Sequence, residues 1–116
     1  MPTDEEVLAA AYKNFNDRNI DSVLSLMHPA VDWANGMTGG RVHGHAAVRE
    51  YWTEQWKVVN PKVEPMGYRR EADGRIDVTV QQTVWDMEGN LLLDRLVKHV
   101  YAVENGLIRS MHIRED

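Results

Sequence analysis

Three polar residues, Gln82, Arg95 and His99, share an otherwise apolar face of two consecutive predicted strands. Apolar residues alternate with other residues along residues 76–84 and 93–103, which is typical of β-strands. A tight turn between the strands keeps the two facing sets together in either of its possible registers. A buried guanidinium or amide is costly unless paired, so we expect a cavity filled by water or ligand beside them. The alternative is a one-sided sheet with these residues at an open rim.

We assign the chemistry of this group to His99 and Arg95. A neutral imidazole in a cavity can accept or donate a proton near pH 7. A nearby guanidinium would lower the imidazole pKa and hold a carboxylate or enolate oxygen. Gln82 would anchor or polarise the ligand beside them. The sequence leaves open a structural role, in which the same side chains form a polar group bridged by water.

Aromatic residues supply candidate walls for the cavity. Trp33 and Asn35 share one face of a short predicted strand at residues 31–35, and Trp52 and Trp56 are one helical turn apart. Aromatic walls suit a flat or apolar organic ligand, although any one tryptophan can equally fill a core. The predicted ligand-binding residues are Tyr12, Trp33, Asn35, His43, Trp52, Trp56, Gln82 and Tyr101.

His43 and His45 bracket the start of a predicted helix. No third metal ligand is evident, so we predict no metal site and place His43 at the pocket mouth and His45 in a solvated first turn. The glycine-rich segment 36–40 lacks the lysine and spacing of a phosphate-binding loop. Two interpretations remain open for it, a lid over the cavity and a plain connector.

Helical patterns fill the first half of the chain and strand patterns the second. Thr3 and Glu6 form a predicted capping box for the first helix. A second, short helix ends with Met27 on its apolar face, and a third begins after His43. Pro65 predicts an edge strand or a bulge in the first long strand. Turn residues then separate antiparallel strands at 73–74, 88–90 and 105–106.

The opposite face of the two central strands is too apolar for solvent and too polar for a core. It combines Thr79, Thr83, Trp85, Leu96 and Val100 with Asp77, Asp94 and Lys98. We therefore predict a homodimer through this outer sheet face.

Composition narrows the class of protein. The 116 residues predict a single domain, 1–116. A net charge of −5 argues against nucleic acid as a partner, and no apolar run is long enough to predict a membrane partner. The chain has no cysteine and an acidic N-terminal segment unlike a secretory signal, so we expect a cytoplasmic protein.

Four stretches resemble the SnoaL-like, ketosteroid-isomerase-like branch of the nuclear transport factor 2-like superfamily. The stretches are residues 15–24, 28–33, 43–52 and 104–108. The resemblance extends over nearly the whole chain and implies an α+β fold. This fold is a cone-shaped, curved, mostly antiparallel sheet wrapped around three helices from the N-terminal half, enclosing a pocket. It also implies a homodimer.

The resemblance does not carry over the acid–base residues of ketosteroid isomerase. Its base would fall at Ala34, beside Asn35, and its oxyanion-hole tyrosine near Ala11, one position before Tyr12. Two hypotheses therefore remain, both without a cofactor. In one, the cavity binds a small apolar or aromatic molecule and catalyses proton transfer, as in isomerisation, cyclisation or dehydration. In the other, the protein is a non-catalytic ligand-binding or dimerisation module.

Overall fold

The computed structural model shows an α+β fold and describes residues 3–36 and 39–114. The helices are α1 (Asp4–Asn16), α2 (Ile20–Ser25) and α3 (Gly44–Val58). The strands are β1 (Met27–Ala34), β2 (Arg41–His43), β3 (Val59–Arg70), β4 (Ile76–Asp86), β5 (Leu91–Glu104) and β6 (Leu107–Arg114).

The six strands form one mixed, curved sheet in the order β2-β1-β6-β5-β4-β3. Neighbouring strands are antiparallel except β1 and β6, which run parallel. Register shifts interrupt each long pairing, and such bulges bend a strand and increase its twist. The predicted fold class, a curved sheet combined with three helices from the first half of the chain, is confirmed.

The register of β4 and β5 decides which side chains share a face. Gln82 pairs with Arg95 and Val78 pairs with His99, as the predicted strand parity requires. We call the face that carries these residues the inner face, and the opposite face, which carries Asp77 and Leu96, the outer face. Hydrophobic residues of the helices and of the inner face form the core, including Leu8, Val23, Val48, Val78 and Ile108.

The predicted caps and turns are present. The capping box of Thr3 and Glu6 starts α1. Asn105 and Gly106 both have positive φ, 52° and 78°, as a tight two-residue hairpin turn demands. Both predictions for Pro65 are confirmed, because β3 is an edge strand and its register shifts between Pro65 and Gly67.

The predicted boundary between the second helix and the first strand was wrong, and strand β2 was not predicted. The second helix ends at Ser25, and Met27 pairs with Ile108 in the sheet instead of lying on the helix. Because the β1–β6 register is irregular between Met27 and Asp32, Pro29 is tolerated inside the strand. Strand β2 was missed because three residues are too few to show alternation. No helix in the described ranges has the length and apolar character needed to cross a membrane.

Candidate functional site

A cavity of about 140 Å³ lies between the helices and the inner face of the sheet. It is open on one side, and aromatic and aliphatic side chains form most of its wall. Seven of the residues predicted from the sequence line it: Tyr12, Trp33, Trp52, Gln82, Arg95, His99 and Tyr101. The expected cavity beside Gln82, Arg95 and His99 is therefore present.

A chain of hydrogen bonds joins three buried polar side chains of this cavity. The Tyr101 hydroxyl donates to the Tyr12 hydroxyl at 2.7 Å, and the Tyr12 Oη lies 2.9 Å from Nδ1 of His99. We assign the protons along this chain from its hydrogen-bond geometry: with Tyr12 accepting from Tyr101, the Tyr12 proton is donated to Nδ1. With that assignment, the ring hydrogen of His99 lies on Nε2. The three side chains are 2% (Tyr101), 5% (Tyr12) and 7% (His99) exposed.

Burial determines the protonation states of His99, Tyr12 and Tyr101. It lowers the pKa of His99 from 6.5 to about 4, so the imidazole is neutral at pH 7. Burial is also the main cause that raises the pKa of Tyr12 and of Tyr101, so both phenols keep their protons. The result is an uncharged group of hydrogen-bond donors in a wall of low polarity.

Two elements bring these residues together. His99 and Tyr101 are two apart on β5, so both project from the inner face. Tyr12 lies on the buried side of α1 with Val7, Leu8 and Ala11. Its ring is nearly parallel to the His99 ring, at 12° with centroids 6.0 Å apart, and edge-on to Tyr101. Packing of α1 against the sheet therefore sets the geometry of the hydrogen bonds between Tyr101, Tyr12 and His99.

Gln82 and Arg95 lie at the open rim of the same cavity. Arg95 Nε donates to Gln82 Oε1 at 3.5 Å, a long contact across the β4–β5 ladder. The expectation of a buried Arg95 was wrong: the residue is exposed, because a guanidinium at an open rim keeps its hydration. His99 is four residues away, about 13 Å along an extended strand. Burial, and not the expected guanidinium, therefore lowers the pKa of His99.

Tryptophans form part of the wall, but not all of them reach the cavity. Trp33 and Trp52 line it and meet edge to face, with ring centroids 5.5 Å apart. Trp56 stacks on Trp52 outside the described lining, and it also contacts Phe15 and the Arg18 guanidinium. Its predicted place in the ligand pocket was wrong, because the aromatic stripe of α3 continues beyond the cavity.

Asn35 and His43 also lie outside the cavity lining. His43 pairs with Asp32 across β1 and β2, on the strand face opposite Trp33, and its Nδ1 lies 3.5 Å from Asp32 Oδ1. The expected position of His43 at the pocket mouth was wrong, because the unpredicted strand β2 turns it away. Asn35 lies beside a shallow cleft, and its backbone N–H donates to the Gly40 carbonyl.

Three further predictions concern this edge of the sheet. His45 is half-buried, and its Nε2 lies 2.9 Å from the Met27 carbonyl oxygen. No cluster of three or more metal-ligating side chains occurs within residues 3–36 and 39–114. Gly36 lines the cavity, whereas Met37 and Thr38 lie outside the described residues, so the lid hypothesis for segment 36–40 stays a prediction.

The site contains polar residues that sequence reasoning did not assign to it. Tyr51 lines the cavity, and its hydroxyl accepts from the Gly36 N–H at 3.0 Å. Gln55, one helical turn later on α3, also lines it, and its buried Oε1 has no hydrogen-bond partner among the described residues. The available signal was a glutamine in the apolar stripe of a helix, between Trp52 and Trp56.

Comparisons with known proteins agree with this architecture. TerC, whose crystal was grown with polyporic acid, is 28% identical with a TM-score of 0.84, over 97% of this chain and 91% of TerC. An NTF2-like protein of unknown function from Burkholderia pseudomallei is 24% identical with a TM-score of 0.85, over 100% of this chain and 92% of that protein.

SalBIII, an epoxide hydrolase/cyclase-like enzyme with a role in pyran ring formation in the polyether salinomycin, shares the fold. It is 18% identical with a TM-score of 0.80, over 95% of this chain and 88% of SalBIII. A search of curated protein sequences found no significant match. The SnoaL-like domain profile matches residues 8–111. The chain therefore belongs to the SnoaL-like domain family.

Proposed function

We propose that this protein binds a small aromatic molecule in the cavity and polarises one of its oxygen atoms. The observation that carries this proposal is the chain Tyr101–Tyr12–His99, three uncharged polar side chains buried in an otherwise largely apolar wall. A largely apolar pocket with a few convergent polar groups is the usual form of a small-molecule site. A ligand oxygen that accepts from the Nε2 hydrogen of His99 would extend the chain by one hydrogen bond.

The walls favour a flat, largely apolar ligand. Trp33 and Trp52 present aromatic surface, and Val97 and Met111 add aliphatic surface. The exposed Arg95 guanidinium adds a cation at the rim, which suits an acidic group on the ligand. The co-crystallisation of TerC with polyporic acid, an acid by name, supports an acidic ligand for this cavity.

The chemistry that such a site favours is proton transfer next to a carbonyl group. When a C–H bond beside the carbonyl is broken, the proton leaves to water and the electron pair moves towards the carbonyl oxygen. A neutral N–H aimed at that oxygen stabilises the charge that develops there. Tyr12 and Tyr101 keep their protons, so they orient and polarise the imidazole and are not consumed. Isomerisation, cyclisation and dehydration of carbonyl compounds all use this step.

The test is hydrogen–deuterium exchange of 2-tetralone, an aromatic ketone with acidic C–H bonds, followed by NMR in D₂O. Wild-type protein should accelerate the exchange, and His99→Phe should lower the acceleration about a hundredfold, the effect of losing one oxyanion donor. His112→Phe, the same change on the outer face, is the matched control and should retain the acceleration. Equal rates with His99→Phe and wild type would contradict the proposed role of His99.

One observation favours the non-catalytic alternative. Among the described residues that line the cavity there is no aspartate or glutamate, and an imidazole with a pKa of about 4 is a weak base. A binding protein with the same cavity would bind 2-tetralone without accelerating its exchange. That combination of results would support the alternative over the enzyme.

We also propose that two copies associate through the outer face. Leu96 projects from this face and is 61% exposed, so it offers an apolar contact for a second copy. Leu96→Arg should convert a dimer to a monomer in light scattering. Met87→Arg is the matched control, since Met87 is 60% exposed but lies in the β4–β5 turn. A monomeric wild-type protein, or a dimer that survives Leu96→Arg, would contradict this interface.

A further inference from the structure

We infer that Gln55 is a specificity-determining residue that selects aromatic ligands carrying a hydroxyl or another hydrogen-bond donor. This inference rests on the proposed function, since it concerns the same cavity. Gln55 lies on α3 and lines the cavity, and its Oε1 is buried with no hydrogen-bond partner in the described part of the chain. A buried amide oxygen in this condition has lost its water without compensation. Rotation of the Gln55 side chain towards the cavity would bring this oxygen to a donor on a bound ligand.

The Gln55 oxygen differs in its position from the other buried polar atoms that lack a hydrogen-bond partner among the described residues. Two other buried side-chain atoms lack a partner among the described residues, Nε1 of Trp56 and Oδ1 of Asp77. Trp56 is outside the described cavity lining. Asp77 projects from the outer face, where Lys98 and Arg114 each approach its other carboxylate oxygen to 3.6 Å. Of the three, only the Gln55 atom belongs to a residue that lines the cavity.

The two walls of the cavity then offer opposite hydrogen-bonding groups. On the helical wall, the Gln55 Oε1 can only accept. On the sheet wall, the chain from Tyr101 through Tyr12 leaves His99 with a hydrogen to donate on Nε2. A ligand that satisfies both walls carries a donor and an acceptor on an aromatic frame. Hydroxylated aromatic ketones are the simplest members of this class.

The test compares the affinity of 6-hydroxy-2-tetralone with that of 6-methoxy-2-tetralone by isothermal titration calorimetry. In the methoxy compound, a methyl group replaces the hydrogen that the Gln55 oxygen would accept. Wild-type protein should bind the hydroxyl compound about tenfold more tightly, a conservative figure for one buried hydrogen bond. In Gln55→Met, which keeps the length of the side chain, this preference should fall to about twofold or less.

Two controls separate specificity from folding. Gln81→Met makes the same change on the outer face, where Gln81 donates to Asp94, and it should keep the wild-type preference. Gln55→Met should unfold at the wild-type temperature or above it, because it removes an unpaired polar atom. A preference that survives in Gln55→Met, or wild-type protein that binds both substituted compounds equally, would overturn this inference alone. Failure of all three tetralones to bind would overturn the proposed function, and this inference with it.

Discussion

At the inner end of the cavity, Tyr101, Tyr12 and His99 are almost fully buried and joined by hydrogen bonds of 2.7 and 2.9 Å. At the rim, Gln82 and Arg95 lie in contact with solvent and meet at 3.5 Å. His99 and Arg95 project from the same face of the same strand. Two polar side chains on the same face of one strand can therefore differ in burial and in hydrogen bonding. The difference depends on how deep in the cavity each side chain lies.

Burial gives the inner group of Tyr101, Tyr12 and His99 different properties from the rim residues Gln82 and Arg95. Without water, the inner group must satisfy its polar atoms internally, and it becomes neutral and ordered. The rim residues stay in contact with water. We therefore propose that the inner group polarises the ligand and that the rim attracts it.

The largest contrast is expected in stability. Tyr12→Phe leaves both the Tyr101 hydroxyl and His99 Nδ1 without their partner, and the free energy of unfolding should fall by about 2–4 kcal/mol. Arg95→Met should change it by about 0.5 kcal/mol or less, as at other exposed positions. Urea denaturation monitored by tryptophan fluorescence measures both. Similar losses for the two variants would remove the distinction between the inner group and the rim.

The second contrast is in pH dependence. The pKa of His99 is lower in the folded chain, about 4, than its ordinary value of 6.5, so the unfolded chain takes up the proton first as the pH falls. Proton uptake by His99 in the unfolded state therefore lowers the free energy of unfolding as the pH falls. The loss begins below about pH 6.5 and reaches about 3 kcal/mol in total towards pH 4. His99→Phe should flatten the curve in this window, whereas Arg95→Met should not. Parallel curves for His99→Phe and wild type would show that His99 is not held neutral by burial.

The smallest effect is expected at the rim. Arg95→Met should weaken the binding of 2-naphthoate, an aromatic carboxylate, by about fivefold or less, since an exposed guanidinium contributes below about 1 kcal/mol. The difference should shrink further at high salt, and binding of neutral 2-tetralone should stay unchanged. Calorimetric titrations of both compounds measure this. Equal losses for the anion and the neutral ketone would mean that Arg95 shapes the cavity and does not act by its charge.

The sheet face on which each strand residue lies was predictable from the sequence. Its hydrogen-bond partner on another element was not. Alternation and turn residues determine parity, so the inner positions of Gln82, Arg95 and His99 follow from the sequence alone. The hydrogen bond between Tyr12 and His99 joins residues 87 positions apart. It depends on how α1 crosses the sheet, which no local pattern specifies.

The errors at Arg95, His43 and Trp56 have related physical causes. Parity gives the face of a residue but not its depth, so Arg95 was placed correctly on the inner face and incorrectly in the interior. His43 was misplaced because pairing of the short strand β2 with β1 puts its side chain on the face opposite Trp33. Helical spacing put Trp56 beside Trp52 correctly, but it does not tell where the cavity ends.

The central claim is that His99 is a neutral hydrogen-bond donor, held by Tyr12 and facing a ligand cavity. Nitrogen-15 NMR of the imidazole ring tests it most directly, because the shifts of the two ring nitrogens report both charge and tautomer. We expect a neutral ring with its hydrogen on Nε2 at pH 7, titrating near pH 4, and a change in the Nε2 shift when 2-tetralone is added. A ring that titrates near pH 6.5, or carries its hydrogen on Nδ1, would contradict it.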